Sequence, residues 1–522
     1  MIMRRLLPAA LIGLLAACSG GPTPSVPRPD AHGPFHPPPV QPPPVHHPPV
    51  APPVVPPVAP PAGDPYPGVT FDNGGVNPFV DPREDAQSTF ALDVDTGSYT
   101  IAKRFLADGH LPDPDSVRVE EYVNALDGGY EAPRDATFAI SADGGPTPFG
   151  ADSHRLLLRL GISAIELSEA ARPDASLTFV VDVSGSMAIE TRLELVKRSL
   201  DLLVEALRPT DSVAIVVYGT DARVVLPPTL LFERDLVRAA IGSLQPEGST
   251  NAGAGMQLGY AVASEAFLEG GINRVILASD GVANVGVTDA AGILDLARGW
   301  AADGIQLVTA GFGMGNYNDT LMEQLADDGD GFYAYVDDID EAKRLFVHDL
   351  TGTLSAVALD ARAQVDFDPG TVAAYRLVGY ENRDVPDEDF RNDTIEAGAI
   401  GSGHAVTALY ELALAESKPV GHIGTVKLRW VDPGSKEAAE ISRTITGADL
   451  ASSFDDCNAR FRLQATVAAW ADLLRGSPWA ADLTLDGIAK QARALAWELR
   501  DDPQAIELAN LTERAASLAG GW

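Results

Sequence analysis

Between Ser176 and Leu354 short apolar runs rich in β-branched residues alternate with stretches of helical periodicity. The runs are LTFVVDV, DSVAIVVYG, RVILASDG and IQLVTAGFG, and continuous apolar segments bounded by turn residues predict buried strands. Between them, RLELVKRSLDLLVEAL, NAGAGMQLGYAVASEAF and AAGILDLARGWAADG place apolar residues every three or four positions, the spacing of an amphipathic helix. Regular alternation of strand and helix predicts an α/β unit over 175–354 with a doubly wound, mostly parallel sheet.

The flanks follow other rhythms. From 69 to 170 the pattern is mixed α+β, with strands expected at TFALDVD, TFAISA and LLLRLGISA and helices at SYTIAKRFLADG and SVRVEEYVNALDG. From 355 to 450 it is β-rich, with VALDARAQVDFDP, TVAAYRLVGYE, HAVTALYELAL and GTVKLRWVDP predicting an antiparallel sheet or sandwich. The stretch 451–522 reads as helical, most clearly in FRLQATVAAWADLLRG and LDGIAKQARALAWELRD. If strands before and after the α/β unit pair with each other, that unit is an insertion into one split β domain. No internal repeat of fixed period is present.

The chain opens on MIMRRLLPAALIGLLAAC, a short basic part followed by an apolar run too short to span a bilayer, which is the pattern of an export signal. Leu15, Ala16, Ala17 and Cys18 resemble the lipobox of bacterial lipoprotein signals. The resemblance implies that 1–17 is removed, that Cys18 is acylated, and that the protein sits in the cell envelope, tied to a membrane by its lipid. Residues 18–68 then form a tether dominated by proline, valine, alanine and histidine. Its stretch from Pro22 to Pro67, as extended polyproline II at about 3.1 Å per residue, would reach on the order of 140 Å. His32, His36, His46 and His47 lie in this segment without the fixed geometry that a metal site needs, and are read as linker.

Composition narrows the choice of partner. The 522 residues are 45 % hydrophobic and 7 % aromatic, ordinary values for folded protein. Asp and Glu number 73 against 38 Lys and Arg, a net charge of −35 that becomes −37 once the signal and its two arginines are removed. With no basic run to oppose that field, nucleic acid is excluded as the expected partner. Only Cys457 then remains as a thiol, so no disulfide within the chain is expected and the fold must rest on core burial.

Candidate chemistry sits at the ends of the α/β strands. DVSGSM, from Asp182 to Met187, follows the strand LTFVV; EGSTNAG supplies Thr250 ahead of a helix; ILASDG supplies Asp280 at a strand end. Strand C-terminal ends share one edge of a parallel sheet, so Asp182, Ser184, Ser186, Thr250 and Asp280 are expected to meet there. Two carboxylates and three hydroxyls are hard oxygen donors, with no Cys or His among them. Such a set suits Mg²⁺, or another hard divalent cation such as Mn²⁺ or Ca²⁺, and leaves part of the coordination shell open.

D-x-S-x-S, then a threonine loop, then an aspartate at a strand end resembles the metal-ion-dependent adhesion site of von Willebrand factor type A domains, and all five positions match. The resemblance implies that Ser184, Ser186 and Thr250 contact the metal and that Asp182 and Asp280 act directly or through water. It further implies that an Asp or Glu of a partner protein completes the shell, which makes the protein an adhesion-type binder and not an enzyme. ALDVDTGSYTIAKRFL, INRVILASDG, GFGMGNYNDTLMEQLADDGDGFYAYVDD and YRLVGYENR extend the likeness over nearly the whole mature chain. They resemble a bacterial group of A-domain lipoproteins with a family-specific N-terminal region and a C-terminal domain of unknown function. The same site chemistry would serve a metal-dependent assembly or co-chaperone subunit of an envelope complex.

Two acidic motifs compete for attention. Asp93 and Asp95 in FALDVDTGS resemble the nucleophile loop of haloacid dehalogenase-like phosphatases, which would make the chain a hydrolase, but position 97 is Gly where Thr or Val is expected. A strand-to-helix turn capped by Asp95, Thr96 or Ser98 is the expected reading. Asp327, Asp328 and Asp330 lack the twelve-residue calcium-loop pattern and are expected in a solvated turn. No Walker A loop, dinucleotide fingerprint or HExxH motif occurs.

Overall fold

The computed structural model describes residues 66, 69, 71–72, 74–92, 94–149, 155–281, 290–313, 318–348, 350–392, 397–415 and 421–520. Cys18, the four tether histidines and Asp93 lie outside them. The chain begins with β1 (Gln87–Ala91), α1 (Gly97–Ala107), α2 (Val119–Asn124), β2 (Phe138–Pro146) and β3 (Arg155–Ala164). It continues through β4 (Ala175–Asp182), α3 (Arg192–Ala206), β5 (Ser212–Tyr218), β6 (Ala222–Leu230), α4 (Arg234–Gly242) and α5 (Ala252–Glu265). Next come β7 (Ile272–Ser279), α6 (Ala290–Ala302), β8 (Gln306–Phe312), α7 (Asp319–Asp328), β9 (Phe332–Val336), α8 (Ile339–Lys343) and α9 (Leu350–Leu354). The last part holds β10 (Ala356–Phe367), β11 (Val372–Val378), β12 (Ile400–Gly401), β13 (Ala405–Leu414), β14 (His422–Val431) and β15 (Ala438–Thr446). Three helices close the chain, α10 (Ala459–Leu474), α11 (Leu485–Glu498) and α12 (Pro503–Gly520).

The α/β unit is the doubly wound sheet that the alternation predicts. Among the described residues it has six strands in the order β6-β5-β4-β7-β8-β9, all parallel except for the antiparallel β5–β6 pair. Side chains alternate between its two faces. Phe179, Val181, Ile215 and Val217 enter one core, beneath Val196, Leu200 and Leu203 of α3. Val180, Ala214 and Val216 enter the other, beneath Met256 and Tyr260 of α5. Glycines let α5 lie close on the sheet: a Cβ at Gly255 would come within 2.5 Å of the Tyr218 ring, and one at Gly259 within 2.3 Å of Val180. β6 carries Pro227 and Pro228, which hide it from a reading of strand periodicity, and it is tolerated because it is an edge strand.

Strands from both sides of the α/β unit share two antiparallel sheets. β1 pairs with β10, with Phe90 opposite Ala363, and β3 pairs with β13, with Leu160 opposite Ala408. One sheet has the order β1-β10-β14-β15 with β12 beside β10, and the other β11-β13-β3-β2. Their inner faces meet in one core that includes Phe90, Leu160, Val365, Tyr410 and Val426. The α/β unit is therefore an insertion between β3 and β10, and the segments 69–170 and 355–450 build one sandwich between them. β15 escapes a sequence reading because its solvent-facing residues carry no apolar run.

A third layer joins α10, α11 and α12 to α1 and α2 around Tyr99, Tyr122 and Trp470. Tyr122 stands edge-on to both of its aromatic neighbours, at 5.5 and 5.6 Å between ring centroids. α1 serves two cores at once, sending Ile101 and Phe105 into the α/β unit and Tyr99, Ala102 and Leu106 into the helical layer. A buried charge network ties α7 to the same region. Arg118, 2 % exposed, pairs with Glu121 at 3.0 Å, Asp319 at 2.7 Å and Glu323 at 3.0 Å. Arg383, just past β11, pairs with Glu323 at 2.8 Å, and Asn382 donates to the same carboxylate at 2.9 Å.

Candidate metal site

Asp182 ends β4, and the parallel register places it beside Tyr218, the last residue of β5. On the other side Val181 pairs with Ala278, which brings Ser279 and Asp280 of the next strand end against it. The turn after β4 is held by the carboxylate itself: the Ser184 backbone N–H donates to Asp182 Oδ1 at 2.8 Å. The Ser184 and Ser186 hydroxyls lie 2.9 Å apart, and the Ser186 hydroxyl donates to Asp280 Oδ1 at 3.1 Å. Four of the five sequence-predicted residues thus form one hydrogen-bonded cluster at the C-terminal edge of the sheet.

The loop that carries Thr250 is held at this edge by the backbone of its neighbours. The Asn251 N–H donates to the Gly219 carbonyl at 2.9 Å, and the Gly185 N–H donates to the Gly248 carbonyl at 3.2 Å, so the Thr250 loop is laced to both β5 and the Asp182 turn. Asn251 also caps α5 by accepting from the Ala254 N–H. No hydrogen bond links the Thr250 hydroxyl to the other four residues.

Two residues outside the predicted five join the cluster. Ser279 donates its hydroxyl to Asp182 Oδ2 at 2.9 Å. Arg192, the first residue of α3 and 5 % exposed, donates to Asp280 Oδ2 at 2.8 Å. Gly313 leaves room for that guanidinium, because a Cβ there would come within 2.4 Å of Arg192 Nε. Arg192 follows Thr191, whose φ of 60° is left-handed and costly for a β-branched residue. Ser279 was recoverable from strand register alone, whereas Arg192 depends on how α3 packs.

The electrostatics are those of a site short of positive charge. Asp182 is fully buried, and burial pushes its carboxyl up to about 6, with repulsion from Asp280 adding to the shift. The Ser184 N–H and the hydroxyls of Ser184 and Ser279 oppose it by favouring the charged form. Among the described residues no group of three or more His, Cys, Asp or Glu side chains gathers to hold a metal. The donors here are two carboxylates and hydroxyls, which is the chemistry of a hard divalent cation and not of zinc. No histidine occurs between 155 and 347, and the α/β unit's one histidine, His348, lies near its end.

The competing motifs resolve differently from expectation. Thr96, the N-cap of α1, makes no side-chain cap hydrogen bond; the Ser98 N–H is instead taken by the Glu121 carboxylate at 2.7 Å. Asp95 is 4 % exposed and accepts from the Tyr333 N–H at 3.2 Å, which ties the first strand region to β9. It presents no nucleophile to solvent. Asp327 and Asp328 are not left to water either, since they pair with Arg383 and Arg298.

Known proteins resemble the chain along most of its length. The von Willebrand factor type A domain model matches 176–348, a von Willebrand factor model matches 68–158, and the C-terminal model of the uncharacterized protein YfbK matches 352–421 and 415–518. YfbK of Escherichia coli (strain K12) is 37 % identical over 454 residues, covering 82 % of this chain and 77 % of that protein. The uncharacterized protein sll0103 of Synechocystis is 25 % identical over 301 residues, 56 % of this chain and 70 % of its own. Among solved structures, a von Willebrand factor type A protein from Catenulispora acidiphila aligns with a TM-score of 0.43 at 16 % identity, covering 71 % of this chain and 89 % of that one.

Proposed function

Because the chain belongs to the bacterial von Willebrand factor type A family that includes YfbK, we propose that it is a metal-dependent protein-binding module held at the cell envelope by a lipid. The observation that carries this reading is the cluster of Asp182, Ser184, Ser186 and Asp280, whose buried carboxylate ionises only against its surroundings. Together with Thr250 these residues would hold Mg²⁺ or a similar hard cation. When bound, the cation supplies a positive centre for a carboxylate oxygen of a partner protein. Ser279 fixes the Asp182 carboxylate and Arg192 fixes that of Asp280, so the donors are oriented before any ion arrives.

Binding to a partner is expected to require Mg²⁺ and to be lost in Asp182→Ala and Thr250→Ala. At a mature net charge of −37 the protein repels an acidic partner at long range, so association should be slow and should quicken at moderate salt. A pull-down from envelope extract compares wild type in Mg²⁺, wild type in EDTA, and Asp182→Ala in Mg²⁺. A partner retained equally in all three removes the metal site as the binding surface.

Lipid attachment at Cys18 is the second part of the reading, supported by the lipobox and the proline tether. Among the described residues no helix is long and apolar enough to cross a membrane. Two or more acyl chains anchor a protein stably where one is marginal. Intact mass and detergent partition of the exported protein should show an acylated Cys18 at the N-terminus; an unmodified cysteine in a water-soluble product overturns this part.

A further inference from the structure

Tyr218 ends β5 directly opposite Asp182, and paired residues of neighbouring parallel strands face the same side of the sheet. Both side chains are fully buried, on the face that Val180 and Val216 present to α5. The Tyr218 ring belongs to the core beneath Met256 and Tyr260. Gly255 of α5 gives it room, since a Cβ there would meet ring Cδ1 at 2.5 Å and Cγ at 2.7 Å. The ring is thus fixed by the helix into which the Thr250 loop leads.

Packing accounts for the ring but not for the hydroxyl. Tyr218 Oη is buried and makes no hydrogen bond, so a phenylalanine would fill the same space without burying an unbonded polar group. Its polar neighbours are Asp182 and Ser279. Burial first, and then the charges of Asp182 and Asp280, hold the phenol proton in place well beyond the usual range, so the group is a donor. Asp182 has capacity to receive it. A carboxylate offers about four acceptor sites, of which the Ser184 N–H takes one on Oδ1 and the Ser279 hydroxyl one on Oδ2. The remainder accommodate both a cation and a further donor.

We propose that Tyr218 is a positioning residue of the metal site, whose hydroxyl donates to the Asp182 carboxylate when that carboxylate holds a cation. This rests on the reading of the cluster as a metal site and adds to it a residue that never touches the ion. A charged carboxylate is the stronger acceptor, so the bond forms together with the charge that coordination requires. The phenol then supports Asp182 from the α5 side as Ser279 supports it from β7, and the affinity for the cation depends on a side chain that sequence and packing alone assign to the core.

The test is calorimetric titration of the mature chain with Mg²⁺ alone at neutral pH, comparing wild type with Tyr218→Phe. The variant should bind Mg²⁺ roughly tenfold more weakly, the worth of one hydrogen bond to a charged group. Because the hydroxyl has no partner to lose, the variant's melting temperature in EDTA should not fall. A second readout is optical. Mg²⁺ should shift a tyrosine near-UV absorption band of the wild type as the phenol gains its acceptor, and Tyr218→Phe should lack that shift. Equal Mg²⁺ affinity in the two proteins, a lower melting temperature of the variant in EDTA, or a band shift that survives the substitution overturns this proposal and leaves the metal site standing. A wild type that takes up no Mg²⁺ overturns both.

Discussion

In EDTA at neutral pH, Asp182→Asn is expected to be more stable than wild type by about 3 kcal/mol, from an upward carboxyl shift of roughly two units at 1.36 kcal/mol each. The native carboxyl ionises at about 6 and the unfolded one near 3.8. A raised acid contributes its stability below the unfolded value and loses it as pH rises through the folded one. The two proteins should therefore differ little in acid, separate as pH rises from the unfolded value of 3.8 to the folded value of about 6, and keep a constant gap above it. Asparagine keeps the local bonds: its carbonyl can still accept from the Ser184 N–H, and its amide can donate to the Ser279 hydroxyl.

Adding Mg²⁺ should close the gap. A cation that binds only the native wild-type site stabilises it by about 2.7 kcal/mol at a hundredfold excess over its dissociation constant, and Asp182→Asn gains little. Urea titrations of both proteins, with and without Mg²⁺ across the acid-to-neutral range, measure every part of this. A wild type indifferent to Mg²⁺ and less stable than the variant throughout would leave a buried carboxylate with no ion to hold.

The second large effect is expected at the junction between domains. Arg118→Met should cost about 3–5 kcal/mol, the range for removing one partner of a buried ion pair. It strands three carboxylates, Glu121, Asp319 and Glu323, and their remaining partners do not replace the guanidinium. Burial already pushes the Glu323 carboxyl upward, and the charges of Arg118 and Arg383 hold it down. With Arg118 gone the Glu323 carboxyl rises further, so the variant's deficit should shrink toward acidic pH and widen toward neutral. Glu323→Gln in the Arg118→Met background should recover part of the loss, because it removes one unpaired charge. A deficit that does not change with pH would mean that packing of the Arg118 side chain, and not charge, is what the network contributes.

The α/β unit was legible in the sequence because its order is local. A strand buried on both faces is a continuous apolar run, and a helix on such a sheet shows its period within a dozen residues; LTFVVDV and RLELVKRSLDLLVEAL carry that signal unaided. The same locality makes Asp182, Ser184 and Ser186 readable, since one turn holds them, while Thr250 and Asp280 join them only because parallel strands end on one edge. What tertiary structure alone decided is whatever depends on contacts across hundreds of residues. Phe90 opposite Ala363 and Leu160 opposite Ala408 turn two flanking segments into one sandwich, a pairing that apolar alternation permits but does not specify. Glu121 takes the Ser98 N–H at the start of α1 across 23 positions, and Arg192 reaches Asp280 across 88 positions. In both cases a buried charge is satisfied by a group that packing of the finished fold, and not the nearby sequence, brings within reach.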